Sequence, residues 1–360
     1  MKYAIIGCGR ISVNHIQAAI NNNLEFVGIC DILPEKLKEK KEKFPLIKDV
    51  HEYTDFIEMI EKERPELVAI STESGKHASI AKECIKRNIN LIIEKPIALS
   101  IKDANEIIDL AKEHNVKVSA CHQNRFNKAV QKIRSAIEDD KFGKLFYGCA
   151  HIRWNRGPQY YEQAPWRGTW EQDGGALMNQ CIHDIDLLRW MMGNEIDEVF
   201  AYTDQLNHPY IKAEDLGIAL VKFKNGAYGI IEGTTDVYEK NLEETLYIFG
   251  EKGTAKAGGS SVNKLEVYNF EGETEENVLE ESSEVHKNVY GLGHTPLYAD
   301  VIDAINNDRK PYVDAECGKR ALELVLAIYL SAMEHKPIKL PLDENVNTLM
   351  FKGRFQEEND

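Results

Sequence analysis

Over its first 120 residues the chain alternates short β-branched apolar runs with amphipathic stretches of helical period, and few folds accept that pattern. The runs lie at 3–6, 26–30, 67–70, 90–93 and 117–120, and the helical stretches near 11–22, 34–43, 53–63, 76–87 and 101–114. Strands alternating with helices of this length predict a parallel sheet covered on both faces, which is why the runs are apolar almost without a break. After Cys121 the rhythm changes. Helices are predicted at 127–138, 175–192, 294–307 and 316–334, and strands at 145–154, 196–206, 216–224, 227–235, 243–250 and 264–270. Consecutive strands joined by turns such as Lys224-Asn225-Gly226 predict a largely antiparallel sheet. The fold class is therefore α/β. A doubly wound Rossmann domain over 1–121 precedes an α+β domain over 122–360 with an open sheet. Residues 271–288 are polar and read as a surface excursion.

The first strand runs into Gly7-Cys8-Gly9-Arg10-Ile11-Ser12, and a helix follows. Gly7 and Gly9 permit a tight turn and let backbone amides approach a pyrophosphate at the helix N-terminus; Arg10 and Ile11 complete the turn and are expected at the cofactor. Ser12 stands where the fingerprint usually has its third glycine, and is expected to loosen helix–strand packing slightly. Asp31 ends the second strand, 22 residues after Gly9. A carboxylate there accepts both ribose hydroxyls and repels a 2′-phosphate, and Ile32-Leu33-Pro34 supply no compensating Arg, so NAD is expected rather than NADP. A surface carboxylate capping a turn is the plainer alternative. Ser71 and Thr72 follow the strand at 67–70, where ligand crevices form. His77 opens the next helix, to pack on the cofactor or simply to lie on the surface.

Two features carry chemistry. Glu94-Lys95-Pro96 closes the strand at 90–93 and aims Lys95 into the crevice. Downstream, Asn179, His183 and Asp186 are spaced i, i+4, i+7 on a predicted helix and fall on one face. There His183 can accept a hydroxyl proton as hydride leaves, with Asn179 orienting it. A core histidine is the bland alternative. A metal held by His183 and Asp186 lacks a third ligand at suitable spacing, and no metal is expected.

Composition narrows the classes further. The net charge of −15 opposes non-specific nucleic-acid binding. Seven scattered cysteines without a C-x-x-C pair argue for reduced thiols, and neither an apolar span nor a secretory leader is discernible, so a cytoplasmic protein is expected. Val221, Phe223, Ile230 and Ile231 read as the exposed face of the second sheet. Covering that face with another subunit predicts a dimer or tetramer.

The Gly-Cys-Gly-Arg-Ile start, Glu-Lys-Pro after its strand and the His-bearing helix together resemble the glucose–fructose oxidoreductase and inositol dehydrogenase (Gfo/Idh/MocA) family. The resemblance implies that Lys95 and His183 flank the reacting carbinol. Many members carry Asp where this chain has Asn179, which argues against a Lys–Asp–His relay and leaves His183 as base, with Lys95 lowering the energy of the alkoxide. The segments Arg153-Trp154-Asn155-Arg156, Tyr160-Tyr161-Glu162-Gln163, Trp166-Arg167-Gly168-Thr169-Trp170, Asp173-Gly174-Gly175 and His122-Gln123-Asn124-Arg125-Phe126 are similar to UDP-N-acetylglucosaminuronate 3-dehydrogenases. This likeness implies NAD-dependent oxidation of carbon 3 in surface polysaccharide biosynthesis, with a 2-oxo acid able to regenerate NAD, and a tetramer. Arg125, Arg153, Arg156 and Arg167 can hold a carboxylate or diphosphate, unless they pair with acidic neighbours, and Tyr160, Trp154 and Trp166 can stack on sugar or base. Tyr160 joins the expected substrate contacts; Glu94, Gln123, Trp166 and Arg167 join those expected at the cofactor. A polyol or inositol dehydrogenase is the alternative enzyme, and a non-catalytic NAD-binding regulator the alternative outside catalysis.

Overall fold

Six parallel strands in the order β3-β2-β1-β4-β5-β6 organise the N-terminal part of the chain. The computed structural model describes residues 1–272, 278–285 and 291–355. In chain order the elements are β1 (Lys2–Ile6), α1 (Ser12–Asn21), β2 (Glu25–Cys30), α2 (Pro34–Lys43), β3 (His51–Tyr53), α3 (Phe56–Glu63), β4 (Leu67–Ile70), α4 (His77–Ile85), β5 (Asn90–Ile93), α5 (Ile101–Glu113) and β6 (Val118–Ala120). β1, β4 and β5 are almost wholly buried, as a strand covered on both faces must be. The order reverses between β1 and β4, so the turn after β1 and the loop after β4 flank the switch point where such sheets take their ligands.

Then follow α6 (Lys128–Glu138), β7 (Leu145–Arg153), the short α7 (Pro158–Tyr161), a π-helical turn at Leu177–Cys181 and α8 (Ile182–Met192). After these come β8 (Ile196–Asp204), β9 (Leu216–Phe223), β10 (Tyr228–Thr234), β11 (Glu243–Gly250), β12 (Gly253–Gly258), β13 (Lys264–Phe270) and α9 (Val278–Glu281). The chain closes with α10 (His294–Asn306), α11 (Ala315–Glu334) and β14 (Ile338–Lys339). Eight strands, ordered β13-β12-β11-β7-β10-β9-β8-β14, form the second sheet, and only β7 and β10 pair in parallel. The excursion expected at 271–288 falls partly on 273–277 and 286–290, outside the described residues.

The chain divides into two units: residues 1–122 with 294–319, and 123–293 with 320–360. The second predicted domain therefore gives α10 back to the Rossmann unit. The reason is local. Tyr298 of α10 bonds Tyr3 at 2.9 Å and His15 of α1 at 2.7 Å, and Leu297 and Val301 are fully buried beside them.

The open sheet face also needs correction. Val221, Phe223 and Ile231 are 0–1% exposed and point away from it. Ile218, Leu220, Tyr228 and Ile230 occupy the alternate positions that do face solvent, with Tyr147 of β7 beside Tyr228. A strand's side chains change face at every residue, so an assignment one residue out exchanges core for surface.

Candidate active site: a dinucleotide turn and a histidine-bearing helix

The turn after β1 is built for close backbone approach. Gly7 has φ +92°, and a Cβ there would lie 2.6 Å from the Ser71 carbonyl group, so β1 and β4 can end side by side only with glycine. Ser71 locks the arrangement by donating its hydroxyl to the Gly7 carbonyl at 2.7 Å. A Cβ at Gly9 would meet no protein atom within 4 Å, which leaves room for a pyrophosphate over the turn. Ser12 does not loosen the packing as expected. It is fully buried, and its hydroxyl donates to the Gly9 carbonyl at 2.6 Å.

Asp31 is held by two backbone donors, Cys8 N–H at 2.7 Å on one oxygen and Leu33 N–H at 2.9 Å on the other. Each oxygen keeps a lone pair for a ribose hydroxyl. Arg10 is exposed and Ile11 half-buried beside it. These residues fit a dinucleotide without a 2′-phosphate.

His77 is not a surface residue and does not offer its ring to a cofactor. It is 1% exposed; Nδ1 lies 2.7 Å from the Pro96 carbonyl and Nε2 3.2 Å from the Thr72 carbonyl. The ring brackets the loop after β4 to the loop after β5, and burial pushes its pKa down. Thr72 bonds only its neighbour Glu73 through its hydroxyl. Lys95 is half-buried, and its backbone N–H donates to the Glu94 carboxylate at 3.1 Å.

In the second unit, His183 opens α8 directly after the π turn and is 9% exposed. Asn179 lies inside that turn, its amide donating to Asp173, which also accepts Gly168 N–H at 2.6 Å. The turn itself is set by Glu214. Its carboxyl accepts Leu177 N–H at 2.8 Å and the Tyr329 hydroxyl at 2.7 Å. Gly175, at φ +93°, makes this possible, since a Cβ there would lie 1.8 Å from a Glu214 oxygen. Burial pushes the Glu214 carboxyl up to about 8.

Asp186 does not share a site with Asn179 and His183. It is fully buried and takes Arg125 in a bidentate pair, 2.6 and 2.7 Å, with the guanidinium stacked on Trp190. Arg125 is thus a fastener of α8 and not the expected substrate contact, and the metal alternative at His183 loses its second ligand. Arg153 is likewise reassigned. It alternates with Ile152 onto the open sheet face and pairs with Glu232 and Glu243. Gln123 is buried and donates to Asn124 at 3.3 Å.

The loop between β7 and the π turn carries a ladder of guanidinium groups and rings. Arg156 lies 4.5 Å from the Trp154 ring and 5.3 Å from Tyr160. Arg167 lies 4.2 Å from Tyr160 and 4.6 Å from Trp166. Gln180, within the π turn, donates to the Tyr160 hydroxyl at 3.0 Å and so ties ladder to helix. Arg156 also donates to the Asn155 carbonyl at 2.6 Å and the Asn241 side chain at 3.0 Å, and Arg167 to the Tyr160 hydroxyl, so stacking and hydrogen bonds together hold both guanidinium groups in place.

Two family models match in tandem. Residues 1–122 match the NAD-binding Rossmann fold of the oxidoreductase family Gfo/Idh/MocA, and residues 134–340 match its C-terminal alpha/beta domain. The chain belongs to the Gfo/Idh/MocA oxidoreductase family. Among solved structures it is similar to the WlbA dehydrogenase from Bordetella pertussis in complex with NADH and UDP-GlcNAcA. They share 35% identity at a TM-score of 0.87, over 95% of this chain and 98% of that one. The Chromobacterium violaceum WlbA dehydrogenase, with the same ligands, is 34% identical at a TM-score of 0.87, over 95% and 96%. Among curated relatives, the myo-inositol 2-dehydrogenase of Thermotoga maritima is 28% identical over 94% of this chain and 98% of its own.

In this oxidoreductase, sequence reasoning overlooked the residues that set the helix: Glu214, Tyr329, Asp173 and Gln180. Asp173 had a signal in its place before Gly174-Gly175. Glu214 had none, because it reaches the helix from 37 positions away.

Proposed function

We propose that this NAD-dependent sugar dehydrogenase oxidises the carbon-3 hydroxyl of UDP-N-acetylglucosaminuronate to the 3-keto sugar. The observation that carries the reading is the Trp154–Arg156–Tyr160–Arg167–Trp166 ladder, tied to the His183 helix through Gln180. Preset guanidinium groups suit a carboxylate or diphosphate, and an uncharged polyol has no use for them. The two WlbA dehydrogenases, bound to NADH and UDP-GlcNAcA, support the same substrate class. The inositol dehydrogenase relative favours a polyol as the second reading.

When bound, the nicotinamide supplies the hydride acceptor. Asp31 would hold the adenosine ribose and the Gly7–Gly9 turn the pyrophosphate. Among the chain's own residues, His183 takes the hydroxyl proton, Lys95 stabilises the developing alkoxide, and Asn179, its amide fixed by Asp173, orients the hydroxyl. Arg156 and Arg167 bind the anionic parts of the substrate, with Tyr160 and Trp166 beside them. The proposal extends to a cytoplasmic role in surface polysaccharide synthesis, with a 2-oxo acid regenerating NAD. It also extends to a homo-oligomer closed over the Leu220 and Tyr228 face. No helix among the described residues is long and apolar enough to cross a membrane.

Purified protein is mixed with UDP-N-acetylglucosaminuronate, with and without 2-oxoglutarate, and assayed for the 3-keto product and for NADH absorbance. Oxidation of myo-inositol in place of the nucleotide sugar overturns the substrate. Turnover surviving in His183→Ala overturns the base.

A further inference from the structure

Behind Lys95 lies a polar cluster that the proposed mechanism does not use. Glu94 is 5% exposed and sits in the core of the Rossmann unit. One of its carboxylate oxygens lies 2.9 Å from His15 Nε2 and 3.8 Å from His294 Nε2, and the other accepts Lys95 N–H at 3.1 Å. Donor atoms of His15, Glu94, Cys121 and His294 all fall within 4.8 Å of one another, and all four residues are buried. His15 is braced in turn by Tyr298 at 2.7 Å, and Tyr298 by Tyr3 at 2.9 Å. Four separate stretches of chain converge here: α1, the end of β5, the residue after β6, and α10.

A buried carboxylate is costly unless several groups share its charge. Burial opposes its charge, yet the hydrogen bond and electrostatic attraction from His15, with His294 and the Lys95 charge close by, hold it well below the usual carboxylate range. Burial, reinforced by Glu94, keeps the Cys121 thiol neutral. Burial likewise keeps the Tyr298 and Tyr3 hydroxyls protonated. It pushes His294 and the nearby His77 down, toward the neutral imidazole. Glu94 is therefore the anion of the cluster, and the charge of Lys95, whose backbone N–H it accepts, helps to hold it so.

We propose that Glu94, caged by His15 and His294, is the positioning residue for Lys95: it fixes the backbone from which the lysine side chain springs and keeps that side chain an ammonium. The inference rests on the reading of Lys95 as the group that stabilises the alkoxide, for only an ammonium does so. It gives the glutamate of the Glu-Lys-Pro motif a task apart from the cofactor. It also gives α10, far along the chain, a role in this unit: it brings His294 beside the carboxylate and Tyr298 to His15.

The test reads the lysine directly, without substrate. Trace acetylation of the whole protein with acetic anhydride from about pH 7 to about pH 11.5, a range that spans the ordinary lysine midpoint, followed by peptide mass spectrometry, gives the titration of Lys95 beside exposed lysines such as Lys48. In the wild type Lys95 is expected to deprotonate at or above the pH of those lysines despite its partial burial; deprotonation well below them overturns the proposal, and this arm needs no variant to fold. In Glu94→Gln the Lys95 midpoint is expected to fall by about one pH unit, because an opposite charge nearby is removed. In Glu94→Asp, which keeps the charge, it is expected to stay near the wild-type value. A folded Glu94→Gln protein with an unchanged Lys95 titration overturns the proposal and leaves Glu94 a packing residue. If no nucleotide sugar turns over but the titrations move as stated, the substrate reading fails and the Glu94 assignment stands.

Discussion

Arg125 and Asp186 form a fully buried fork-to-carboxylate pair, and the partners stand 61 positions apart in the chain. The pair fastens the turn at Gln123–Phe126 to α8 one helical turn beyond His183.

Breaking it from one side leaves a charge stranded in the core. Arg125→Ala is expected to lower stability by about 3 kcal/mol, read as the midpoint of urea unfolding. Arg189, 3.5 Å from the same carboxylate, softens the loss. Replacing both partners with apolar residues, as in Arg125→Met with Asp186→Leu, is expected to recover most of it. A double variant as unstable as the single one would deny that the stranded charge is the cause.

Glu214 makes stability depend on pH. Its carboxyl titrates at about 8 in the folded chain against an ordinary value of 4.5. Between those values the folded state holds a proton that the unfolded state has lost, so stability falls as pH rises from about 4.5 to about 8. Glu214→Gln keeps an acceptor for Leu177 and Tyr329 and has no proton to lose. Thermal melts from pH 5 to 8.5 are expected to fall less steeply for the variant than for the wild type.

Asp31, proposed to hold the adenosine ribose, is expected to set cofactor choice. Asp31→Ala is expected to weaken NADH binding about tenfold or more, the scale of a charge-assisted hydrogen-bond pair, and to narrow the gap between NADH and NADPH. Fluorescence titration reads both. Equal loss for the two cofactors would point to collapse of the turn at Cys8 instead.

Leu220 is 57% exposed, and the adjacent Val221 1%. If a second copy covers the open sheet, Leu220→Lys is expected to shift sedimentation at micromolar protein to the monomer with the melting temperature little changed. Val221→Lys is expected to unfold the chain. A wild type that sediments as a monomer removes the proposed assembly.

The Arg ladder admits a kinetic test. Arg156→Ala and Arg167→Ala are expected to raise KM for the nucleotide sugar more than tenfold, the loss of one charge-assisted pair each, and Arg153→Ala to leave it near the wild-type value.

Much of the fold was legible because its signals are local. Strands at 67–70, 90–93, 243–250 and 264–270 and the helix at 34–43 match the structure to the residue, since apolar period and turn chemistry mark their own ends. β3 escaped because three residues carry no period, and β12 because Gly-Thr-Ala-Lys-Ala-Gly has no apolar run. The site was legible in its types and not in its pairings. Arg153 reads as a candidate anion contact until Glu232 and Glu243 arrive from 79 and 90 positions away. His77 reads as a surface residue until the Pro96 carbonyl closes over it.

The π turn at Leu177–Cys181 amounts to one extra residue wound into a helix. Removing a single residue there would restore regular winding and leave α8 seated on its sheet, yet it would turn Asn179 through about 100° relative to His183, the angle per residue of an α-helix. The phase between these two side chains is thus a matter of residue count more than residue identity. Because Leu177, Met178 and Cys181 of the same turn are fully buried, gaining or losing one codon there would re-aim Asn179 and re-phase part of the core in a single step.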